Sequence, residues 1–509
     1  MTRLASSRSV AAATSSTACS NEASFACDGF CMPLTLRTYC TAAARISSCV
    51  VGGSKLWSVR ILRHMAEVIA DADLAALVAE AERRYVEANP ESRRLHGERA
   101  RVMPGGNTRT VLHVPPFPLT IVSGDGARLT DADGHVYLDF LGEYTAGLYG
   151  HSHPVILEAI RDALADGLVF GAPNRHELAL AEAICARFPS LELVRFCNSG
   201  TEANLFALSL ARVATGKQKI MVFEGGYHGG VFYFVSAEGS PINAPFPFVV
   251  APYNDEETAT SLIAEHAHEL AAVLVDPLQG SAGAIPGEPA FLQALRDATS
   301  AHGVLLVFDE IMTSRLSTGG LQLTLGITPD LTTLGKYLGG GLAFGAFGGR
   351  ADLMSRFDPA RPDALPHAGT FNNAVLTMAA GVAGLTRVYT AAEVQRLNGL
   401  GDRLRDRLNA FAAREELAFV ATGYGSLVGL HFARGPVRRI SDLPAADELR
   451  TLLHLHLLER GYSYARRGFI ALSLPLGEGE IDGFAAAVEE FLDAHRHCVS
   501  PPGHVSESR

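Results

Sequence analysis

No apolar run in this chain is long enough to span a bilayer, and neither internal repeats nor heptads occur, so membrane-spanning, solenoid and coiled-coil architectures are set aside. Basic charge is short as well: Lys and Arg number 43 against 54 Asp and Glu, for a net charge of −11. With no basic stripe to meet phosphates, a nucleic-acid partner is not expected. Beyond residue 64 only three cysteines occur, Cys185, Cys197 and Cys498, which give no disulfide pattern and fit a reducing cytosol. Metal-ligand spacing is missing too. His151 with His153, His266 with His268, His454 with His456 and His495 with His497 stand two apart, which on a helix points them in different directions. No Cys or carboxylate completes a set, so no metal is expected.

The first 64 residues are a different material. They hold five of the eight cysteines, the single tryptophan (Trp57), many serines, and seven Lys or Arg against Glu22 and Asp28. That is a net +5, which leaves −16 on the rest. Such an acid-poor, arginine-bearing composition resembles an organelle transit peptide, but it shows little of the amphipathic periodicity a transit peptide needs. Met65 instead opens an amphipathic segment, MAEVIADADLAALVAEAERRYVEANP. A start placed too early is the favoured reading, with 1–64 expected to be disordered and the protein cytoplasmic; an organellar location follows only if 1–64 are a genuine transit peptide.

What is present concentrates in four segments. Lys336 lies in LTTLGKYLGGG, between a strand-like run and a triple glycine. A lysine that forms a Schiff base must sit on a rigid turn, partly desolvated, with room for a flat ring beside it. Asp309, in FDEIMTSR, ends the apolar run GVLLV, and the carboxyl ends of such strands are where open α/β sheets bind ligands. In FCNSGTEAN a strand gives way to a helix whose first residues, Ser199, Gly200 and Thr201, combine hydroxyls with free backbone N–H groups, as a phosphate requires. Tyr227 stands exposed among glycines in GGYHGG, where a ring can stack on a planar ligand. An aldehyde-binding lysine, a carboxylate for a ring nitrogen, a phosphate cup and a stacking ring together describe pyridoxal 5'-phosphate.

From about Met65 onward the chain resembles the class III aminotransferases of the fold-type I pyridoxal-phosphate superfamily, in the branch that contains glutamate-1-semialdehyde aminomutase. Within that branch it is most similar to the β-amino-acid (β-phenylalanine-type) transaminases. The resemblance rests on MPGGNTRTV, EYTAGLYGHS, NSGTEAN, GGYHGG, FDEIMTSR, LTTLGKYLGGG and HAGTFNN. It implies that Lys336 carries the cofactor and moves protons, that Asp309 pairs with the pyridine nitrogen, and that Tyr227 and Ile311 cover the two ring faces. It also gives Ser199, Gly200 and Thr201 the phosphate, Gln279 the phenolic oxygen, and Thr370 the phosphate of the neighbouring subunit, so that a homodimer is the smallest competent unit. Ile311, two residues beyond Asp309, is expected on the same side of its strand. Asp276 departs from the family, which usually has glutamate there.

Substrates enter as carboxylates, which a guanidinium grips through two parallel hydrogen bonds. By the resemblance, Arg109 anchors the substrate carboxylate on the phosphate side and Arg467 engages the second carboxylate of a keto acid. Arg466 and Arg467 also read as a solvated pair at a strand start, and Arg315 as a substrate residue or a structural ion pair. Tyr144 and Tyr149 are pocket-wall candidates or ordinary core.

The expected fold is α/β: a large domain with a mostly parallel sheet over 154–389, and a smaller α+β domain built from 65–153 and 390–498, followed by a tail over 499–509. Ala391–Glu416 and IDGFAAAVEEFLDAH read as helices, GSLVGLHF and FIALSLPL as strands. The resemblance implies transfer of an amino group from a donor, a β-amino acid such as β-phenylalanine, to 2-oxoglutarate or pyruvate in two half-reactions. A glutamate-1-semialdehyde-type aminomutase is the alternative, and a non-catalytic cofactor-binding regulator a further one.

Overall fold

The computed structural model describes residues 73–499 apart from 236–238. The expected extension over 1–64 and the tail from 500 onward lie outside the described residues. After a helix over 73–88, strands β1 (Ile121–Asp125), β2 (Arg128–Asp131) and β3 (Val136–Asp139) form an antiparallel meander. The large sheet follows: β4 (Leu193–Cys197), β5 (Lys219–Phe223), β6 (Phe248–Ala251), β7 (Leu270–Val275), β8 (Leu305–Asp309), β9 (Leu331–Gly335) and β10 (Gly345–Gly349). Its spatial order is β4-β10-β9-β8-β7-β5-β6. β10 runs antiparallel to both neighbours, while β9, β8, β7, β5 and β6 pair in parallel.

The central parallel strands are largely apolar because both faces are covered. β7 (LAAVLV) and β8 (LLVFD) are buried at every position. Alternation of the pleat then divides them between two cores. Leu274 and Val307 pack with Leu208 and Ala203 of helix Gly200–Thr215, whereas Val273, Leu306 and Phe308 pack on the other face with Leu295 of helix Pro289–His302. Asp309 follows Val307 by two residues, so the same alternation turns it toward helix Gly200–Thr215. A single carboxylate at the end of an apolar strand is thereby delivered to a defined place.

The two ends of the chain meet in the smaller sheets. Beyond helix Ala391–Arg414, β11 (Val420–Tyr424), β12 (Leu427–His431) and β14 (Phe469–Ala471) form an antiparallel sheet, and β13 (Tyr462–Ser463) pairs in parallel with β3. The expected closing helix is Glu478–Ala494. FIALSLPL differs from expectation, since only Phe469–Ala471 is strand; Leu472 leaves the sheet to accept a hydrogen bond from Arg315 at its carbonyl.

Candidate active site

Five loops leave the large sheet at the carboxyl ends of β4, β5, β7, β8 and β9, and they carry Ser199, Tyr227, Gln279, Asp309 and Lys336 respectively. Lys336 is the first residue after β9. Its φ is +57°, a left-handed conformation that a residue with a side chain adopts only when its surroundings enforce it. The half-buried amine is lowered to about 8 by burial, with the charges of Glu143 and Asp309 opposing that shift.

Asp309 is held by three donors. Asn204 Nδ2 and His228 Nδ1 each lie 2.8 Å from Oδ2, and the Ile311 N–H donates to Oδ1 at 3.1 Å. Asn204 is fixed in turn by Thr333, whose hydroxyl donates to its Oδ1 at 2.8 Å. His228 is buried between two carboxylates, with Asp276 Oδ1 3.6 Å from Nδ1. Burial alone would lower the imidazole, but Asp276 and the hydrogen bond to Asp309 outweigh it and raise it, so His228 stands as a donor to Asp309. Asp276 itself is raised by burial. His228, Asp276 and Asp309 also place ligand-type atoms within 4.8 Å of one another. The histidine pairs two residues apart take no part in that cluster.

Beside this lies an anion cup. Ser199 caps helix Gly200–Thr215 by accepting from the Glu202 N–H at 3.2 Å, and the Thr201 hydroxyl accepts from the Gly230 N–H at 3.1 Å. Two glycines keep it open. A Cβ on Gly229, where φ is +121°, would lie 2.3 Å from Thr201 Oγ1, and one on Gly200 would lie 2.4 Å from Ile311 Cδ1. Ile311 is not on a strand, as expected from its spacing, because β8 ends at Asp309; its backbone hydrogen bond to Oδ1 folds the turn back. Tyr227 is 43% exposed, and its ring meets that of Tyr233 edge to face. Gln279 is buried, and while its Nε2 donates to the Glu224 carbonyl, its Oε1 has no partner. A half-exposed aromatic ring, an unused buried amide oxygen and a capped helix N-terminus around a lysine fit pyridoxal 5'-phosphate. Thr370 is exposed on a turn at the rim, tied in place where Asn198 donates to Asn372 at 3.0 Å.

The residues expected on the substrate side come from both ends of the chain. Arg109 meets Glu143 at 2.6 Å. Glu143 occupies a run in which Gly142, Glu143, Tyr144 and Thr145 all have positive φ, from +44° to +85°. Left-handed backbone costs roughly 1–2 kcal/mol per non-glycine residue. The Asp139 carboxylate, accepting from the N–H groups of Leu141 and Gly142, and Tyr144 stacked on Phe469, hold the run in place. Arg467 lies 5.2 Å from the Tyr144 ring centroid and 5.5 Å from that of Phe469, and donates to the Ser281 carbonyl at 3.3 Å, while its buried Nε has no partner. The solvated-pair reading therefore fails for Arg467. Arg466 donates to Thr451 at 3.0 Å. A mostly apolar cavity of about 610 Å³ adjoins Glu143, Tyr144, Arg466 and Arg467, with Val111, Leu112 and Leu141 in its walls.

Two candidates lie elsewhere. Arg315 is fully buried, donates to Ser426 and the Leu472 carbonyl, and meets no carboxylate among the described residues, so the ion-pair reading fails. Tyr149 is core, 4% exposed. Three residues went unassigned from sequence, Asn204, His228 and Glu143, although all three stand inside quoted motifs.

This sheet edge defines a class: the fold is that of the fold-type I pyridoxal-phosphate-dependent transferases. Within it the chain belongs to the class-III aminotransferases, whose family model matches residues 111–449. It is 54% identical over 419 residues to the β-phenylalanine transaminase of Variovorax paradoxus, covering 82% of this chain and 96% of that one. The solved β-phenylalanine aminotransferase from Variovorax paradoxus superposes with a TM-score of 0.83 at 52% identity, over 84% of this chain and 99% of that one. Similarity extends to the glutamate-1-semialdehyde 2,1-aminomutase of Sorangium cellulosum, 38% identical over 80% of this chain and 97% of that one. The protein is thus a pyridoxal-phosphate-dependent aminotransferase.

Proposed function

We propose that this enzyme takes the amino group from a β-amino acid, such as β-phenylalanine, and passes it to a keto acid, 2-oxoglutarate or pyruvate, with both substrates using one pocket in turn. The observation that carries this reading is the pair of arginines on the substrate side: Arg109 beside Glu143, and Arg467 with an unpartnered Nε next to an apolar cavity. Arg109 holds the carboxylate common to every substrate. Arg467 meets the second carboxylate of 2-oxoglutarate, and its aromatic platform of Tyr144 and Phe469 offers an apolar surface to a phenyl group. Bound pyridoxal phosphate supplies the aldehyde that receives the amine and the ring that withdraws electrons. Ser199, Gly200 and Thr201 bind its phosphate, Tyr227 and Ile311 cover its faces, Gln279 reaches its phenolic oxygen, and Asp309 keeps its ring nitrogen protonated. Lys336 then carries the proton, since an amine lowered to about 8 is neutral often enough near pH 7 to accept one.

We place the enzyme in the cytoplasm as a homodimer in which Thr370 serves the phosphate of the neighbouring subunit. Leu168, Val169, Phe170 and Phe371 stand 47–72% exposed, apolar side chains that a second subunit would cover. None of Cys185, Cys197 and Cys498 is in a disulfide, and among the described residues no single helix is long and apolar enough to cross a membrane. The domain limits we adopt are 65–153 with 390–498 for the small domain and 154–389 for the large one. The 38% aminomutase relative favours a second reading. Purified enzyme given β-phenylalanine should turn over only when a keto acid is supplied. Conversion of glutamate-1-semialdehyde without any keto acid, and no reaction of β-phenylalanine with one, would establish the mutase instead.

A further inference from the structure

Arg109 already holds a carboxylate. Glu143 Oε1 lies 2.6 Å from its guanidinium. Glu143 is not a loose surface side chain that happened to find an arginine: its backbone is left-handed within a run of four such residues, fixed by Asp139 below and by the stacking of Tyr144 on Phe469 beside it. The turn therefore aims this carboxylate at the pocket. Glu143 also lines the apolar cavity together with Thr110, the residue after Arg109.

We propose that Glu143 is a built-in competitor for the substrate carboxylate: it occupies Arg109 when no substrate is bound and is displaced by the carboxylate that enters. The inference rests on the reading of Arg109 as the carboxylate anchor. Its consequence is a uniform cost: every carboxylate that enters must displace Glu143 from Arg109. A true substrate offsets that cost with the bond of its amine to the cofactor and the burial of its side chain, whereas a simple monocarboxylate has only its contact with Arg109 and its own burial to set against it. Both side chains are about half exposed, at 46% and 51%, and pairs of that kind contribute modestly. The penalty on each carboxylate is accordingly about two- to fivefold, small enough for substrate to overcome.

Calorimetric titration of the holoenzyme with 3-phenylpropanoate, which has the carboxylate and ring of the donor but no amine, tests this. Glu143→Gln should tighten binding about two- to fivefold with cofactor content and melting temperature unchanged. In an Arg109→Ala background the same substitution should change nothing. Glu143→Asp, which keeps the charge but withdraws it by one methylene, should shift affinity in the same direction and serves if the glutamine variant does not fold. Unchanged or weaker binding in these variants would overturn the proposal, and so would tightening that persists without Arg109, since Glu143 would then act only as a diffuse negative field. If Arg109→Ala alone leaves affinity as it was, Arg109 is not the carboxylate anchor, and the reading beneath the proposal fails first.

Discussion

The floor of the site and its substrate wall are built on opposite principles. The floor is a set of short segments at the carboxyl ends of neighbouring strands, and its polar centre is buried and cross-bonded: Asp309 has three donors, and Asn204 and His228 are themselves fixed. The wall joins residues near 109 and 143 to others near 467, with half-exposed side chains, left-handed backbone and an unpartnered arginine nitrogen. A polar centre held by so many hydrogen bonds is rigid and suits a resident cofactor. A wall with spare hydrogen-bonding capacity suits two different substrates in turn. Substitutions in the floor should therefore affect every substrate alike, and those in the wall should separate them.

The largest expected effect is at Lys336. Lys336→Ala should abolish turnover with all substrates, and borohydride should label the peptide containing Lys336 in the parent enzyme and no other; labelling elsewhere would remove Lys336 from its role. The same residue sets a pH dependence. Only the neutral amine attacks an aldehyde, and burial lowers the amine to about 8. The rate at which apoenzyme captures pyridoxal phosphate should thus climb about tenfold per pH unit below about 8 and level off above it. A climb continuing to pH 10 would mean that Lys336 is not desolvated.

Asp309→Asn comes next. The variant should keep the cofactor, because the phosphate cup and Tyr227 are untouched, yet lose roughly 3–4 kcal/mol of transition-state stabilisation, the scale for one preorganised electrostatic contact. The loss in kcat/KM should be the same for donor and acceptor. Unequal losses would show that floor and wall are not separable in the way proposed.

Arg467→Ala should then divide the substrates. Removing one partner of a desolvated charge pair costs about 2–5 kcal/mol, and since Arg467 is only partly buried the lower end applies. The KM for 2-oxoglutarate should rise roughly thirtyfold, at about 1.4 kcal/mol per decade, while that for β-phenylalanine should change little. Equal effects on both would make Arg467 a structural residue.

The same contrast explains what could be read from sequence. The floor was legible because each contributor sits within a few residues of a strand end, so that strand–turn–helix chemistry within a short window names it. Only the partners of Asp309 were missed there. Asn204 and His228 stood in NSGTEAN and GGYHGG, but nothing in a linear motif says which polar residue faces which carboxylate across three strands. The wall was legible through resemblance alone. Arg109 and Glu143 are 34 positions apart and meet through a backbone turn that no local propensity favours, while Arg315 read equally as a substrate arginine or an ion-pair partner and is buried against the Ser426 hydroxyl and the Leu472 carbonyl. Charge and spacing cannot separate an arginine that receives substrate from one that closes a core.

The smallest effect sharpens the floor itself. His228 Nδ1 donates to Asp309 Oδ2 at 2.8 Å, and the flanking Asp276 keeps the ring in its donating state. His228→Phe removes that donor while leaving Asn204 and the Ile311 N–H in place, so Asp309 loses one hydrogen bond of three. A hydrogen bond to a charged group contributes about 1.5–3 kcal/mol, and with two donors remaining the loss in kcat/KM should sit near the lower figure, roughly tenfold, equally for both half-reactions. His228→Asn should recover most of it, since an amide nitrogen can stand where Nδ1 does. The absorbance of the bound cofactor separates this from a packing defect: a weakened Asp309 should let the ring nitrogen lose its proton at lower pH in the phenylalanine variant and not in the asparagine one. If both variants titrate like the parent, Asn204 and the Ile311 N–H suffice to hold Asp309, and His228 serves Asp276 instead.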